Sequence, residues 1–321
     1  MTPPVDAWVA PTRVVGNPVI NFGGGGWKDF QVQEPSVFID PTDATKLIMF
    51  YAGETGFRVG SIGRATATAA NPTVWTDDPG NPIFTAGGAN IRLDAVQFVA
   101  GLWYLYYSDT SAGTVNLATS ADGLAFVPYS ANPVLSAAGQ GCSDGSAVQQ
   151  GSVLFDSGTW HMFYNWHNGG TVNQGVRYAT SSDGKTWSKV AGSACANVVS
   201  VGASYDAVFI EWHSVLKVGA DYILSYEGYN GSTWTENIAY SNNPASGWQK
   251  SLANPLFSGS GAAGSFDQVH VATPSYAQIG GNWYLFYQGA PGPSGGLYVN
   301  EHWAMGQALL PVGLDPTAAI P

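Results

Sequence analysis

Apolar and aromatic positions in this chain fall in short runs, and the runs recur. Five of them end on a tyrosine: LIMFYAG at Tyr51, WYLYYSD at Tyr107, WHMFYNW at Tyr164, YILSYEG at Tyr226 and WYLFYQG at Tyr287. The tyrosines are spaced by 56, 57, 62 and 61 residues. A turn-forming stretch precedes each run (DPTDATK, VAG, DSGT, KVGAD, IGGN), and before each turn lies another short apolar segment (PSVFI, DAVQF, GSVLF, HSVLK, PSYAQ). Short runs rich in β-branched and aromatic residues, bounded by Gly, Pro, Asn and Asp, predict strands.

After the aromatic strand a polar loop leads to a third strand, as in VNLATSADGLAF, VRYATSSDGKTW and NIAYSNNPASGW. A fourth short strand carrying Asn-Pro is expected next: NPIF at 81–84, NPVL at 132–135 and NPLF at 254–257, with NVV at 197–199 in that place in the third unit. Four antiparallel strands in a unit of about 60 residues, five times over, predict radial repetition. The expected fold is all-β: a five-bladed β-propeller of four-stranded antiparallel blades. Its blades run roughly over 27–85, 86–136, 140–200, 203–258 and 264–311, in one domain. The fifth unit has no Asn-Pro strand, yet NPVI stands at 17–20, ahead of the first. Residues 12–22 are therefore expected to complete the last blade and remove an open sheet edge. The alternative for that place is MGQALLP at 305–311.

Composition narrows the function. Aromatics make up 13% and charged residues only 10%, which excludes a disordered chain. Net charge is -11 with no Lys/Arg cluster, so a nucleic-acid backbone is not the expected partner. No apolar run approaches the ~18 residues that span a bilayer, so no membrane insertion is expected. MTPPVDAWVAPTRVV lacks the basic and apolar regions of a signal peptide. Cys142 and Cys195 fit no zinc or redox spacing, and a disulfide or two buried thiols are both open. There is no G-x-S-x-G elbow, H-E-x-x-H or P-loop. GGGG at 23–26 follows no βα pattern and reads as a bend into blade one. SSDGKTW at 181–187 resembles the Asp-box of sialidases without its intervening residue, and reads as a blade turn.

In a propeller the first strand of each blade lines the central channel, where distant carboxylates can converge. The acidic residues of this charge-poor chain stand there: Asp29 and Glu34 in KDFQVQEPS, Asp94 beside Arg92 in IRLDAVQF, Asp144 in CSDGSAVQQGS, Asp206 and Glu211 with His213 in YDAVFIEWHS, and Asp267 with His270 in FDQVHVATPS. Paired carboxylates are what hydrolysis of a sugar acetal requires. Asp144, Asp206 and Asp267 lie at matched positions, each seven residues before Gly151, His213 and Pro274, and a repeated Asp also reads as a repeated cap on backbone N–H groups. Glu34, Asp94 and Glu211 are outside that repeat. Arg92 and His213 could pair with carboxylates or sugar hydroxyls, and Trp27, Trp166 and Trp212 could stack on sugar rings or fill the core.

At these residues the chain resembles the five-bladed propeller glycoside hydrolases of family 43 and the related furanosidase families. EPSVFID takes the place of the family's DPS segment, which implies that Glu34 is the general base. EWHSVLKVGADYILSY resembles the segment with the general acid, which implies that role for Glu211, although Trp-His replaces Gly-Pro. HVATPSYAQIGGNWYLFY resembles the segment whose His lies at the channel centre, implying that place for His270, near a bound cation. In blade three, Gln149 and Gln150 stand where the family has the Asp that tunes the acid. Asp94, Asp144 or Asp206 could substitute for it.

The resemblance implies a glycoside hydrolase of arabinofuranosidase or arabinanase type, inverting, acting on furanoside or pentose-containing oligo- or polysaccharide. It implies no required cofactor, with calcium or sodium in the channel as a structural option, and an extracellular or secreted setting for polysaccharide degradation. A non-catalytic glycan-binding propeller, on a secreted or phage surface particle, is the rival expectation. A phosphorylase or transglycosylase is the third, disfavoured by the scarcity of basic residues.

Overall fold

The computed structural model describes residues 9–56, 60–87, 90–141, 144–168, 175–190, 195–292 and 302–310. They form five antiparallel sheets and, among the described residues, no helix. Blade one is Gln31–Asp40, Asp43–Glu54, Gly60–Thr68 and Asn71–Asp77, and blade two is Ile91–Val99, Leu102–Asp109, Thr114–Ser120 and Val127–Pro128. Blade three is Ala147–Asp156, Thr159–His167, Gly175–Ser181 and Ser188–Lys189, with Val199–Ser200 also on its third strand. Blade four is Phe209–Val218, Asp221–Tyr229, Trp234–Ser241 and Gln249–Lys250. Blade five is His270–Ile279, Asn282–Ala290 and Ala304–Leu309, completed by the N-terminal strand Thr12–Arg13. The ring is thus closed by the N-terminal strand, and Ala304–Leu309, from the alternative segment, supplies the third strand of blade five rather than its edge.

The Asn-Pro segments differ from expectation. They are not the fourth strands. Each bridges the early part of its blade's third strand, through Phe84 to Ile62, Leu135 to Val115, Phe257 to Glu236 and Ile20 to Met305. The fourth strands cover the later part of the same edge, as in Ala118 to Pro128 and Ala239 to Lys250. The asparagine explains the motif. Its side-chain oxygen accepts a backbone N–H, and its amide donates to the C=O of the same residue, at 2.8–2.9 Å. Asn81 grips Arg64, Asn132 grips Leu117, Asn254 grips Ile238 and Asn17 grips Gln307. A side-chain amide thereby satisfies an edge residue that has no strand beside it.

The recurring tyrosines pack between blades, and four of them also meet a carboxylate. Tyr51 donates to Asp77, Tyr164 to Asp144, Tyr226 to Asp206 and Tyr287 to Asp267. A cation completes each set: Lys28 on Asp77, Lys189 and Arg177 on Asp144, Lys250 on Asp206 and Arg13 on Asp267. Arg13 belongs to the closing strand, so the ring's seam repeats the arrangement inside the other blades.

The two Asp-Gly turns are alike. Asp122 accepts the N–H groups of Leu124 and Ala125, and Asp183 those of Lys185 and Thr186, with Ser120 and Ser181 capping the glycines. Cys195 is disulfide-bonded, while Cys142 lies outside the described residues.

Candidate active site

In all five blades the ladder between the first two strands slips at the same place. The slips fall between Gln33 and Ser36, Leu93 and Ala95, Gln149 and Ser152, Glu211 and His213, and Ala272 and Ser275. The bulged residues are therefore Glu34-Pro35, Asp94, Gln150-Gly151, Trp212 and Thr273-Pro274. Glu34, Gln150 and Thr273 have φ of 60°, 58° and 47°, a region that costs a non-glycine residue energy. Bulges re-aim side chains, and here they aim them at the axis. Glu34, Asp94, Trp212 and Thr273 line a central cavity of about 110 Å³, with His213 and Tyr276. That is room for several waters, including one that could act in hydrolysis.

A girdle of hydrogen bonds joins the blades at this level. Leu93 N–H donates to Glu34 Oε2 at 2.8 Å. Ser108 donates to the Asp94 carboxylate, 2.8 Å from either oxygen, and accepts Gln150 N–H. Asn165 donates to the Ile210 carbonyl, Thr273 N–H to Glu227 and Val32 N–H to the Trp303 carbonyl. Every blade boundary is bridged.

The two cavity carboxylates differ. Glu34 is only 4% exposed. Burial holds its carboxyl well above the usual range, against the pull of Arg92 and the Leu93 N–H. Asp94 opens partly to the cavity. Burial pushes it up to about 7, opposed by the Ser108 hydroxyl and the backbone N–H of Gly151. Asp94 is thus placed to exchange a proton near neutrality, whereas Glu34 is raised by burial and engaged by Arg92 and the Leu93 N–H. Arg92 is buried between Glu34 and Glu54, 2.7 Å from Glu54 and 3.5 Å from Glu34, with its guanidinium 5.7 Å from the Trp212 ring. His213 is driven down to about 4 by burial and is therefore neutral.

Glu211 stands one residue before the Trp212 bulge. It is partly exposed, directly opposite Glu227 in the ladder, and not among the cavity-lining residues. Asp144, Asp206 and Asp267 are fully enclosed in their tyrosine and cation sets, away from the cavity. Asp29 caps the glycine bend through the N–H groups of Gly25 and Gly26. Trp27 lies over Gly53 and Gly63, where any Cβ would strike its ring, and contacts Tyr51. Trp166 donates to Asn197 beneath the Arg177 guanidinium, 3.6 Å from its ring. His270 is enclosed, accepts the Trp234 N–H and is not a cavity wall. Among the described residues no group of three or more His, Cys, Asp or Glu is placed to hold a metal ion.

Sequence reasoning passed over Glu54, Glu227 and Glu236. All three are fully enclosed. Each is a lone acid on a second or third strand, in YAGE, SYEG and TENI, away from the first strands that line the channel.

No protein-family model matches the sequence, and no curated protein matches it. Solved structures do match in shape. The catalytic domain of a family 62 α-L-arabinofuranosidase from Coprinopsis cinerea superposes with a TM-score of 0.67 at 15% identity, covering 94% of this chain and 97% of that one. An α-L-arabinofuranosidase from Podospora anserina, solved with cellotriose, gives 0.67 at 15%, covering 95% and 98%. A structure from glycoside hydrolase family 130, described as a family of mannoside phosphorylases that contains glycoside hydrolases targeting β-1,2-mannosidic linkages in Candida mannan, gives 0.67 at 15%, covering 94% of both chains. The chain has the five-bladed propeller fold that these proteins share.

Proposed function

We propose that the protein is a glycoside hydrolase acting on a furanoside or pentose-containing glycan, of arabinan or arabinofuranoside type, with inversion. Asp94, on the cavity, serves as the general base; Glu211, one residue before the cavity-lining Trp212, takes the proton-donor role that the family resemblance implies. The observation that carries the reading is Asp94: a carboxyl bulged onto the central cavity and titrating at about 7, where a base is most effective at neutral pH. This moves the base from Glu34, which the family resemblance implied, because Glu34 is committed to the Leu93 N–H and lies beside Arg92. Trp212, bulged onto the same cavity, offers a sugar ring an apolar wall. The arabinofuranosidases of like fold support the substrate class. The reading includes an extracellular setting, as the family resemblance implies.

The test is hydrolysis of an arabinan, arabinoxylan and aryl-glycoside panel. D94N should lose about 10²–10⁴-fold in kcat on every substrate. E211Q should lose as much on natural linkages but retain most activity on aryl glycosides, whose leaving groups need no proton. Inversion requires the two carboxyls about 6.5–9.5 Å apart, and NMR of the first anomer released reads the outcome. Equal losses by E211Q on both substrate kinds would remove the proton-donor role.

One observation favours a second reading, a glycan-binding propeller without catalysis. Glu34 and Asp94 both take part in the girdle that joins blades, a structural use that needs no chemistry. Binding of oligosaccharide with no release of reducing ends from the panel would establish it.

A further inference from the structure

A serine recurs just after the bulge in four of the five first strands. Ser36, Ser152, Ser214 and Ser275 each lie opposite the residue before the repeated tyrosine, namely Phe50, Phe163, Ser225 and Phe286. Ala95, opposite Tyr106, takes that place in blade two. All five line the central cavity, so four hydroxyls ring the axis just beyond the bulge level. Protein atoms do not satisfy the whole ring. Ser214 shares a hydrogen bond with Ser225. The Ser152 hydroxyl is buried without a partner, and so are the Thr273 hydroxyl and the Trp212 indole N–H in the same wall. Ser152 and Thr273 are only 3% and 4% exposed. Buried polar groups are rarely left unpaired, and several of them around one cavity require a polar occupant. The wall chooses among occupants. The Glu34 and Asp94 carboxyls disfavour an anion, and the indole N–H can only donate, so it offers nothing to a cation. Water both donates and accepts. The next position along each strand holds Val37, Val96, Val153, Val215 and Tyr276, also walls of the cavity and largely apolar, so the unpaired groups gather at the serine and bulge levels.

We propose that this ring is a buried water site: its hydroxyls hold the water that Asp94 activates and present it to the sugar from the axis, with Ser152 and Thr273 as positioning residues. The inference rests on the reading of Asp94 as the base. Two placements support it. The gap in the ring is Ala95, the residue after Asp94, so no ring hydroxyl on blade two competes with that carboxyl for water. Glu211 precedes the bulge on its strand, whereas the serines follow it. A sugar held at the bulge level would thus meet water from the axis side and the proton donor from the other, the opposed arrangement that inversion requires. In the step itself the water oxygen bonds to the anomeric carbon as the bond to the leaving oxygen breaks. Asp94 takes the water's proton, and Glu211 supplies one to the leaving oxygen. With a sugar across the mouth, water stored in the ring is the water within reach.

S152A and T273V each remove one hydroxyl with little change of shape, and S152T keeps it. The first measurement is a crystal structure of the wild-type protein at atomic resolution. Ordered water within hydrogen-bond distance of the Ser152 and Thr273 hydroxyls is expected, and an empty cavity overturns the proposal. The second is urea unfolding. An unpaired buried hydroxyl is a cost that T273V would relieve, so a dry cavity raises the midpoint of that variant, whereas a lowered midpoint is expected. The third is kinetic. S152A and T273V should each lose about 2–10-fold in kcat with KM little changed. The factor should be the same on natural linkages and aryl glycosides, since both consume the water, and S152T should keep most of the activity. Wild-type kcat in the double variant S152A/T273V overturns the positioning role. If no glycan in the panel is hydrolysed, the glycosidase reading fails and the supply of water to it falls too. The crystal structure and the urea midpoint then still decide whether the ring holds water.

Discussion

Glu34 accepts the backbone N–H of Leu93 at 2.8 Å across the boundary between blades one and two. The carboxyl is almost fully enclosed, and burial raises its pKa, so its first service is to the joint between blades. E34A removes the acceptor and leaves a buried N–H unpaired beside Arg92. A loss of about 2–4 kcal/mol is expected. E34Q keeps an acceptor without a charge, and should lose less than about 1 kcal/mol and far less turnover than D94N. Urea unfolding of the two variants checks this, and equal losses would count against it.

The pH dependence of stability follows from the same cavity. Asp94 has its carboxyl raised from 3.8 to about 7 on folding, so the native state binds the proton more tightly than the unfolded chain. Its contribution is full below about pH 3.8 and is lost as pH rises to about 7, up to about 4 kcal/mol before its partial exposure is discounted. Glu34 and Glu236 are raised by burial and slope the same way. Asp43 and Asp122, lowered to about 2 by local hydrogen bonds, act only at lower pH. Urea midpoints should therefore fall between pH 5 and pH 7.5, and D94N should flatten part of that fall. A midpoint that rises across this window contradicts the assignment.

Much of the fold was legible because it is a repeat. The tyrosine runs marked five second strands, since an interior between sheets demands the same apolar payload each time. NPVI at 17–20 pointed to the closing segment for the same reason. The fourth strands were misplaced because the Asn-Pro motif is louder than a two-residue strand such as Val127–Pro128 or Ser188–Lys189. The site was harder to read. Asp94 and Trp212 face the axis because of single-residue slips in the ladder, and a slip reverses the face that alternation assigns. Asp144, Asp206 and Asp267 repeat for the tyrosine hydroxyls, a pairing no spacing in the sequence displays.

Asp206 illustrates the distinction. It is fully enclosed and accepts from the Tyr226 hydroxyl, Lys250 and the N–H groups of Gly202 and Ala203. D206N leaves the Lys250 charge without its counter-ion. The expected result is a loss of about 3–5 kcal/mol in unfolding free energy, with kcat of the surviving folded protein within about twofold of wild type. A large fall in kcat at unchanged stability would return Asp206 to the catalytic set.

Ring closure depends on two separate grips by the N-terminal segment. Arg13 pairs with the enclosed Asp267 at 2.6 Å, and Asn17 holds both backbone groups of Gln307. N17A forfeits two hydrogen bonds at an edge, for about 1–3 kcal/mol. R13A leaves a buried carboxylate without its cation and should lose about 3–5 kcal/mol. Deleting residues 1–22 removes both grips and exposes the outer edge of Ala304–Leu309, whose unpaired backbone groups can recruit a second chain. The deletion should therefore lower stability by more than either substitution and also produce self-association, which light scattering after size exclusion would detect. The substitutions leave Thr12–Arg13 on that edge, so they should weaken the protein while keeping it monodisperse. If the deletion and R13A behave alike in scattering, the strand's value lies in its ion pair and not in covering the edge.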